Sequence, residues 1–271
     1  MQSMNTNAVI DHITNWLKSY CERAGQKGFV VGVSGGIDSA VTSALCARTG
    51  LPTLCVEMPI HQAQSQVTRA LEHVATLQRM HHNVSLERID LTPAFDTLEQ
   101  ALPDSPNADA HQLALANTRA RLRMTTLYYL AGINGLLVAG TGNKVEDFGV
   151  GFFTKYGDGG VDLSPIADLT KTEVYEVAGA LAIVGSIMRA APTDGLFGDS
   201  RTDEDQIGAS YPELEWAMDL RERKVDPATM ELTARQRTVL SIFDKRKAAN
   251  RHKMEPIPVC MVPPSLKDRT I

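Results

Sequence analysis

Short apolar runs with strand character alternate with helical segments over the first half of the chain. Runs of this kind, bounded by polar and turn residues, are typical of strands buried on both faces of a sheet. The predicted strands are residues 28–33, 53–56, 83–89 and 135–139, and the predicted helices are residues 5–23, 40–48, 61–80, 93–102 and 109–131. Strands that alternate with helices imply right-handed βαβ crossovers. We therefore predict an α/β fold, a Rossmann-like parallel sheet with helices on both faces.

Length and composition allow a substantial core, because 43% of the 271 residues are hydrophobic. No repeat or linker divides the chain, so we predict a single domain over residues 1–271. Its N-terminal helix lies within residues 1–24, and its last helix covers residues 234–249. Four prolines make residues 255–271 an irregular tail.

Charge and cysteine usage limit the classes of function. The net charge of −5 argues against a protein that coats nucleic acid, and no apolar run approaches the roughly 18 residues needed to span a bilayer. The cysteines form no CxxC pair and do not alternate with histidine at zinc-ligand spacing, so we expect free thiols in or near the core. They are Cys21, Cys46, Cys55 and Cys260. Together these features predict a cytoplasmic protein that binds neither nucleic acid nor membrane.

The first predicted strand leads into a turn with the chemistry of a phosphate site, which we call the phosphate loop. Adjacent glycines let a phosphate approach the backbone, and the N-terminus of the next helix offers unpaired N–H groups. The carboxylate of Asp38 would repel a bare phosphate but suits Mg²⁺ that bridges to phosphate oxygens. A plain strand-to-helix turn capped by Asp38 and Ser39 is the alternative. The loop consists of Gly32, Val33, Ser34, Gly35, Gly36, Ile37, Asp38 and Ser39.

This loop is neither a Walker A loop nor a dinucleotide fingerprint. It resembles the SGGxDS pyrophosphate loop of the N-type ATP pyrophosphatases. The resemblance implies an adenine nucleotide alpha hydrolase-like fold and cleavage of ATP between its α- and β-phosphates to adenylate a substrate. The loop alone leaves several functions open: NAD synthetase, a tRNA-modifying or amidotransferase-type pyrophosphatase, or a non-enzymatic adenine-nucleotide-binding module.

A second glycine-rich segment, residues 151–162, reads GFFTKYGDGGVD and is similar to a signature of the NAD synthetases. Further similar pieces follow in order along the chain, although Asn143 and Lys144 stand where some members have an Asp-His pair. The resemblance implies an ammonia-dependent C–N ligase, because the chain has no room for the amidase domain of glutamine-dependent members. Such an enzyme amidates deamido-NAD (nicotinate adenine dinucleotide) with ATP and ammonia. It yields NAD, AMP and pyrophosphate through an acyl adenylate, in the last step of NAD biosynthesis, and it acts as a homodimer.

The resemblance assigns ATP contacts to the phosphate loop and to Thr141, Lys171 and Thr193, and it assigns Mg²⁺ to Asp38 and Glu146. Lys171 would act on the phosphates as a point charge and Thr193 as a hydroxyl donor. From the residues alone, Glu146 could be a surface helix residue, Lys171 a solvated lysine, and Thr193 a helix cap. The implied catalytic set is Asp38, Lys171, Thr193 and Asp158, the last to orient ammonia or remove its proton.

One helical face is expected to meet the second substrate or a second subunit. Asn117, Arg121, Met124 and Tyr128 share this face at spacings of i, i+4, i+7 and i+11, and they mix polar with apolar types. An Arg121 paired with a neighbouring acid is the alternative. Phe152 or Phe153 could stack on a pyridine ring or simply pack in the core. The deamido-NAD contacts implied by the resemblance are Asn117, Arg121, Tyr128, Phe152, Lys155, Asp162, His252 and Lys253. On composition alone, His252 and Lys253 would belong to a solvated basic tail.

Overall fold

Four parallel strands form one sheet in the computed structural model, which describes residues 4–193 and 202–267. The strands are β1 (Gly28–Gly32), β2 (Thr53–Glu57), β3 (Val84–Arg88) and β4 (Leu136–Val138). Their order in the sheet is β3-β2-β1-β4, and Val30 of β1 pairs with Leu54 on one side and Val138 on the other. The predicted parallel sheet is therefore confirmed, with β1 and its phosphate loop in a central position.

Ten α-helices are described around the sheet and beside it. They are α1 (Thr6–Arg23), α2 (Ile37–Arg48), α3 (Gln64–Met80), α4 (Thr92–Ala101), α5 (Ala108–Asn134), α6 (Lys171–Ala180), α7 (Gly185–Met188), α8 (Asp203–Ile207), α9 (Tyr211–Glu222) and α10 (Ala234–Met254). A π-helix covers Val145–Val150, and short 3₁₀ turns lie at Pro227–Thr229 and Pro264–Leu266.

The strand side chains alternate between two buried faces. Phe29, Val31 and Cys55 lie in one apolar cluster with α1, α2, α3 and α6. Val30 and Val138 lie in a second cluster with α4 and α5 on the opposite face. Because helices cover both faces, β1, β2 and β4 are buried along nearly their whole length, whereas the edge strand β3 is exposed at three of its five positions. Helices on both faces were predicted, and the structure confirms them.

A third apolar cluster lies apart from the sheet. It joins the π-helix to α9 and α10 around fully buried Leu214 and Phe243. The π-helix leads directly into the second glycine-rich segment, so this cluster positions that segment. The expectation of a single domain over residues 1–271 stays a prediction.

Three helices are longer than the sequence pattern predicted. α5 continues to Asn134, three residues beyond its expected end. α2 begins at Ile37, so Asp38 and Ser39 lie in its first turn. α10 continues to Met254 and ends two residues before Pro256, which cannot continue a helix because it lacks an N–H. His252 and Lys253 are therefore helical residues and not part of a tail, although His252 is exposed, as the alternative of a solvated basic tail expected, and Lys253 is half-buried.

All four cysteines are free thiols, as expected. Cys21, Cys46 and Cys55 are buried. Cys260 is exposed, so its expected place in or near the core is wrong: it lies in the proline-rich tail, whose neighbouring side chains are exposed as well. Among the helices of the described ranges, none is long and apolar enough to cross a membrane.

Candidate active site

The phosphate loop is held in shape by hydrogen bonds among its own residues. Ser39 Oγ accepts from the Ser34 N–H at 3.2 Å and donates to the Gly36 carbonyl at 3.0 Å. Ser34 Oγ accepts from the Gly36 N–H at 3.2 Å. Gly36 is the N-cap of α2, so the first N–H groups of the helix follow directly on the loop. This arrangement is an anion site made largely of backbone.

The loop also rests on α3. Gly35 has a φ of +78°, a left-handed conformation that glycine adopts without strain. A β-carbon at Gly35 would lie 2.4 Å from the carbonyl oxygen of Gln66 and 3.2 Å from the Ala70 nitrogen. Arg69, on the same turn of α3, donates from Nε to the Gly35 carbonyl at 3.2 Å. A glycine is therefore required here, both by the backbone angle and by the close approach of α3.

Lys171 brings the two predicted metal ligands together. Its Nζ donates to Asp38 Oδ2 at 2.6 Å and to Glu146 Oε1 at 3.1 Å. A capping box of Thr170 and Glu173 fixes the start of α6, where Lys171 is the first helical residue. Burial alone would lower the pKa of Lys171, but the charges of Asp38 and Glu146 outweigh it and raise that pKa well above its usual range. The solvated-lysine alternative is therefore wrong, since Lys171 is only 3% exposed.

Three carboxyl groups line one end of the site, and we call Glu146, Asp147 and Asp158 the acidic wall. Burial, followed by the charges of Glu146, Asp158 and Asp38, raises the pKa of Asp147 to about 8. Burial raises the pKa of Asp158 to about 6, although the hydrogen bond from the Thr154 N–H opposes this shift. Burial also raises the pKa of Glu146, against the opposing charge of Lys171. Burial is thus the main cause of all three shifts in pKa.

Two residues outside the predicted set hold this end in place. The hydroxyl of Tyr211 lies 2.5 Å from Glu146 Oε1 and 3.0 Å from Asp203 Oδ2. The side-chain nitrogen of Asn143 donates to Asp38 Oδ1 at 3.2 Å, while its oxygen accepts from the Val145 and Glu146 N–H groups. Asn143 thus ties the π-helix to the phosphate loop. The departure from the Asp-His pair marked this position in the sequence, whereas the pattern around Tyr211 signalled only a helix start.

One cavity contains every predicted ATP and metal residue. Its lining includes the whole phosphate loop together with Thr141, Glu146, Phe152, Asp158, Lys171 and Thr193. It also includes residues to which the sequence assigned no role, namely Glu57, Arg69, Arg123, Asp147 and Asp203. Arg123 and Asp203 stand in pieces of the chain that are similar to the NAD synthetases, whereas the only sequence signal of Glu57 and Arg69 was a charge near the carboxyl end of a strand or within a helix.

Of the predicted deamido-NAD contacts, Phe152 alone lines this cavity among the residues that the structure describes. The others gather beside it and form what we call the outer cluster. Arg121 donates to the Lys155 carbonyl, and Lys155 Nζ donates to the His252 carbonyl at 2.7 Å. Lys253 Nζ donates to the Phe153 carbonyl at 2.6 Å. The members of the outer cluster are Asn117, Arg121, Tyr128, Lys155, Asp162, His252 and Lys253.

The shared face of α5 packs on the second glycine-rich segment. Asn117 Oδ1 accepts from the Thr154 hydroxyl at 2.6 Å. The Tyr128 hydroxyl donates to Asp162 Oδ1 at 3.0 Å, and Asp162 Oδ2 accepts from the Val138 N–H at 2.8 Å. Burial, followed by the charge of Asp162, raises the pKa of Tyr128 to about 12. Both carboxylate oxygens of Asp162 are thus engaged in holding this segment against β4.

The chemistry of Asp38 and Glu146 fits a magnesium ion. Mg²⁺ is usually bound by one or two carboxylates, with substrate phosphates and water as its other ligands. The two side chains converge on one ammonium group beside the phosphate loop, where such an ion would meet the phosphates. Within the described ranges, no group of three or more His, Cys, Asp or Glu side chains could hold a metal by itself. ATP would have to complete the site.

Comparisons with known proteins identify the family of this chain. A family model described as NAD synthase matches residues 9–257. The NH(3)-dependent NAD(+) synthetase of Carboxydothermus hydrogenoformans is 38% identical over 214 residues, which cover 78% of this chain and 85% of that protein. The protein of the same name from Syntrophomonas wolfei is 33% identical over 98% of this chain and 100% of its own length.

A solved structure shows the same architecture. The NMN synthetase of Francisella tularensis superposes with a TM-score of 0.79 and 29% identity, over 97% of this chain and 100% of that protein. Similarity thus extends over almost the whole chain and is not confined to the phosphate loop.

Proposed function

The chain belongs to the NAD synthase family, and we propose that its cavity catalyses the ATP-dependent amidation of deamido-NAD with ammonia. The products are NAD, AMP and pyrophosphate. The observation that carries this proposal is the meeting of Lys171, Asp38 and Glu146 beside the phosphate loop. A cation and two carboxylates next to a backbone anion site suit the cleavage of a magnesium-bound triphosphate.

In the first step, a carboxylate oxygen of the pyridine substrate attacks the α-phosphorus, and the bond from that phosphorus to pyrophosphate breaks. Asp38 and Glu146 would hold Mg²⁺, which supplies a Lewis acid for the phosphate oxygens. The phosphate loop binds the triphosphate through N–H groups and the hydroxyls of Ser34 and Ser39. Lys171 and Thr193 then act on the phosphates as an ammonium group and a hydroxyl donor, both from the cavity wall.

In the second step, ammonia attacks the carbonyl carbon of the acyl adenylate, and the bond to AMP breaks. The attacking nitrogen must lose a proton, and we assign that proton to the carboxylate of Asp158. One oxygen of this group accepts from the Thr154 N–H at 2.9 Å, which orients the carboxyl group. With a pKa of about 6 the group is mostly ionised at neutral pH and can accept a proton.

The pyridine ring would lie against Phe152, since a flat aromatic face suits a heterocycle. The outer cluster is the proposed binding surface for the rest of deamido-NAD. Its lysines are engaged with backbone carbonyls, so they hold the second glycine-rich segment against α10. Binding through this cluster would require these contacts to be shared with the substrate.

A second candidate substrate is the corresponding mononucleotide acid. The similarity to an NMN synthetase, over nearly all of both chains, favours it. The two reactions share the phosphate loop, Lys171 and the acidic wall, and they differ only in the length of the pyridine substrate. Because the two reactions use the same catalytic site, they have to be distinguished by their kinetic constants.

The test is AMP and amide formation by the purified chain with ATP, Mg²⁺ and ammonium. Deamido-NAD, its mononucleotide acid and free nicotinate are compared as acceptors, and glutamine replaces ammonium in a parallel assay. We expect the highest kcat/KM with deamido-NAD and no activity with nicotinate or with glutamine alone. A higher kcat/KM with the mononucleotide acid would select the second candidate. Cleavage of ATP without any amide product would contradict both.

We also propose that the protein is a cytoplasmic homodimer. The buried, unpaired thiols of Cys21, Cys46 and Cys55 support a reducing compartment. Tyr129 and Ile133 near the end of α5 are 66% and 63% exposed, which supports a protein contact there. A monomeric mass in sedimentation at micromolar concentration, with full activity, would contradict the dimer.

A further inference from the structure

Arg69 is a cavity residue whose charge the proposed mechanism does not use. It lies on the second turn of α3, is half-buried, and lines the cavity next to the phosphate loop. Its Nε donates to the Gly35 carbonyl at 3.2 Å. No acceptor for its two terminal nitrogens is found among residues 4–193 and 202–267. One end of the guanidinium is therefore anchored while the other keeps its donors.

The charges around the cavity show why such a cation matters. Six acidic side chains line it, but only three basic ones do within the described ranges: Arg69, Arg123 and Lys171. Lys171 is shared between two carboxylates, and Arg123 donates to the Met58 carbonyl and to Gln62 Oε1. Arg69 forms no ion pair with any carboxylate in the described part of the chain. The positive charge of Arg69 would therefore be available to an incoming triphosphate.

Arg69 reaches the phosphate loop from a different helix than Lys171 does. α2, which follows the loop, packs against both α3 and α6, and Lys171 begins α6. The segment that carries Thr193 is also tied to α3, because Ser186 on α7 donates to Glu72 Oε2 at 2.5 Å. Thr193 and Arg69 both line the cavity that contains the phosphate loop.

We propose that Arg69 binds the β- and γ-phosphates of ATP and, after cleavage, the pyrophosphate product. A guanidinium group donates two parallel hydrogen bonds to phosphate oxygens, and its charge would offset the one that develops on the leaving pyrophosphate. This inference rests on the proposed cleavage of ATP to AMP and pyrophosphate. It adds a catalytic residue from α3 to the set on α2, α6 and the acidic wall.

The test compares pyrophosphate and AMP as ligands of the full-length chain, by calorimetry in the presence of Mg²⁺. AMP lacks the phosphates that Arg69 would bind, so Arg69→Ala should weaken pyrophosphate binding about ten- to hundred-fold and AMP binding by less than about twofold. Arg69→Lys should weaken pyrophosphate binding to an intermediate extent, because lysine keeps the positive charge but cannot donate two parallel hydrogen bonds from one planar group. Arg79→Ala on the same helix is the matched control: Arg79 is exposed, bonds only to Thr76 among the described residues, and should change neither affinity.

Equal weakening of pyrophosphate and AMP would overturn the proposal, because Arg69 would then only hold the loop through Gly35. Unchanged pyrophosphate binding in Arg69→Ala, or a wild-type chain that does not bind pyrophosphate, would overturn it as well. Failure of the amidation reaction is a separate result, seen as absent amide product in wild-type assays with both pyridine substrates.

Discussion

The phosphate loop and the acidic wall line one cavity and meet at Lys171, but they are built differently. The internal hydrogen bonds of the loop join residues at most five positions apart, at the end of the central strand. The acidic wall depends on Tyr211, which lies 65 positions from Glu146, and on the third apolar cluster, which includes the π-helix. The loop is therefore a local structure made largely of backbone, whereas the wall is assembled from side chains by long-range contacts.

This difference determines how the phosphate loop and the acidic wall respond to substitutions. The loop needs a particular backbone shape, so steric changes should damage it most. The wall consists of buried carboxyl groups, and this burial raises the pKa values of Asp147 and Asp158. Changes in the charge of a side chain should therefore act chiefly on the wall.

The largest effect is expected from Gly35→Ala. The new β-carbon would meet the Gln66 carbonyl at 2.4 Å, in a backbone conformation that alanine disfavours. Displacement of the loop should lower kcat/KM for ATP by about 10²-fold or more. Gly50→Ala is the control, because Gly50 has nearly the same φ, +77°, and nothing within 4 Å of the added carbon. Equal activity losses in the two variants would show that strain, rather than contact with α3, is responsible.

The next effect concerns Lys171, whose ammonium group contacts both Asp38 of the phosphate loop and Glu146 of the acidic wall. Lys171→Met should lower kcat by about 10²–10³-fold, because a cation at the reacting phosphates is lost. Asp38→Asn should have a comparable effect, and the double variant should lose far less than the product of the two, since the groups are in direct contact. Lys144→Met is the control, because Lys144 pairs with Glu222 and Asp168 outside the cavity. Fully multiplicative losses would mean that Lys171 and Asp38 act independently.

On the side of the phosphate loop, acid should destabilise the fold through His73. Burial lowers the pKa of His73, which contacts Ser43 of α2 at 2.9 Å, from 6.5 to about 4. The unfolded chain binds this proton first as the pH falls, so stability should drop by about 3 kcal/mol between pH 6.5 and pH 4. His73→Gln should flatten this slope in urea unfolding, whereas His82→Gln on an exposed site should not. A slope unchanged in His73→Gln would contradict the assignment.

At the acidic wall the pH dependence should have the opposite sign. The pKa of Asp147 is raised from 3.8 to about 8, so the folded protein holds a proton there that the unfolded chain has lost. That contribution to stability disappears as the pH rises through 8. Without Mg²⁺, Asp147→Asn should therefore raise the free energy of unfolding by about 1–2 kcal/mol at pH 8.5 and by little at pH 5. Asp104→Asn, in an exposed loop, is the control, and a gain of the same size at both pH values would count against the buried charge.

The sequence predicted the phosphate loop better than it predicted the acidic wall. The loop could be recognised because its strand, glycines and hydroxyls are adjacent in the chain. The acidic wall could not be assembled from spacing, since Asn143, Lys171 and Tyr211 meet only through tertiary packing. Asp147 carried no pattern of its own, because a π-helix turns it toward the cavity and such an insertion has no simple periodicity.

The last helix shows a different reason for a missed boundary. Its basic residues suggested a solvated tail, but cations near a helix C-terminus favour the helix. The added turn brings Lys253 to the carbonyls of Gly151 and Phe153, and these two hydrogen bonds hold the second glycine-rich segment. The prediction of the sheet was correct by contrast, because β1, β2 and β4 are short and largely apolar runs, and β3 alternates Val84 and Leu86 with polar residues.

The most direct test follows oxygen from the substrate to the product. Deamido-NAD labelled with heavy oxygen in its carboxylate is incubated with ATP, Mg²⁺, ammonium and the protein, and AMP is analysed by mass spectrometry. If the carboxylate attacks the α-phosphorus in this cavity, each AMP should carry one labelled oxygen and the amide of NAD should keep the other. Unlabelled AMP, or label in pyrophosphate, would contradict adenylation of the substrate at the phosphate loop.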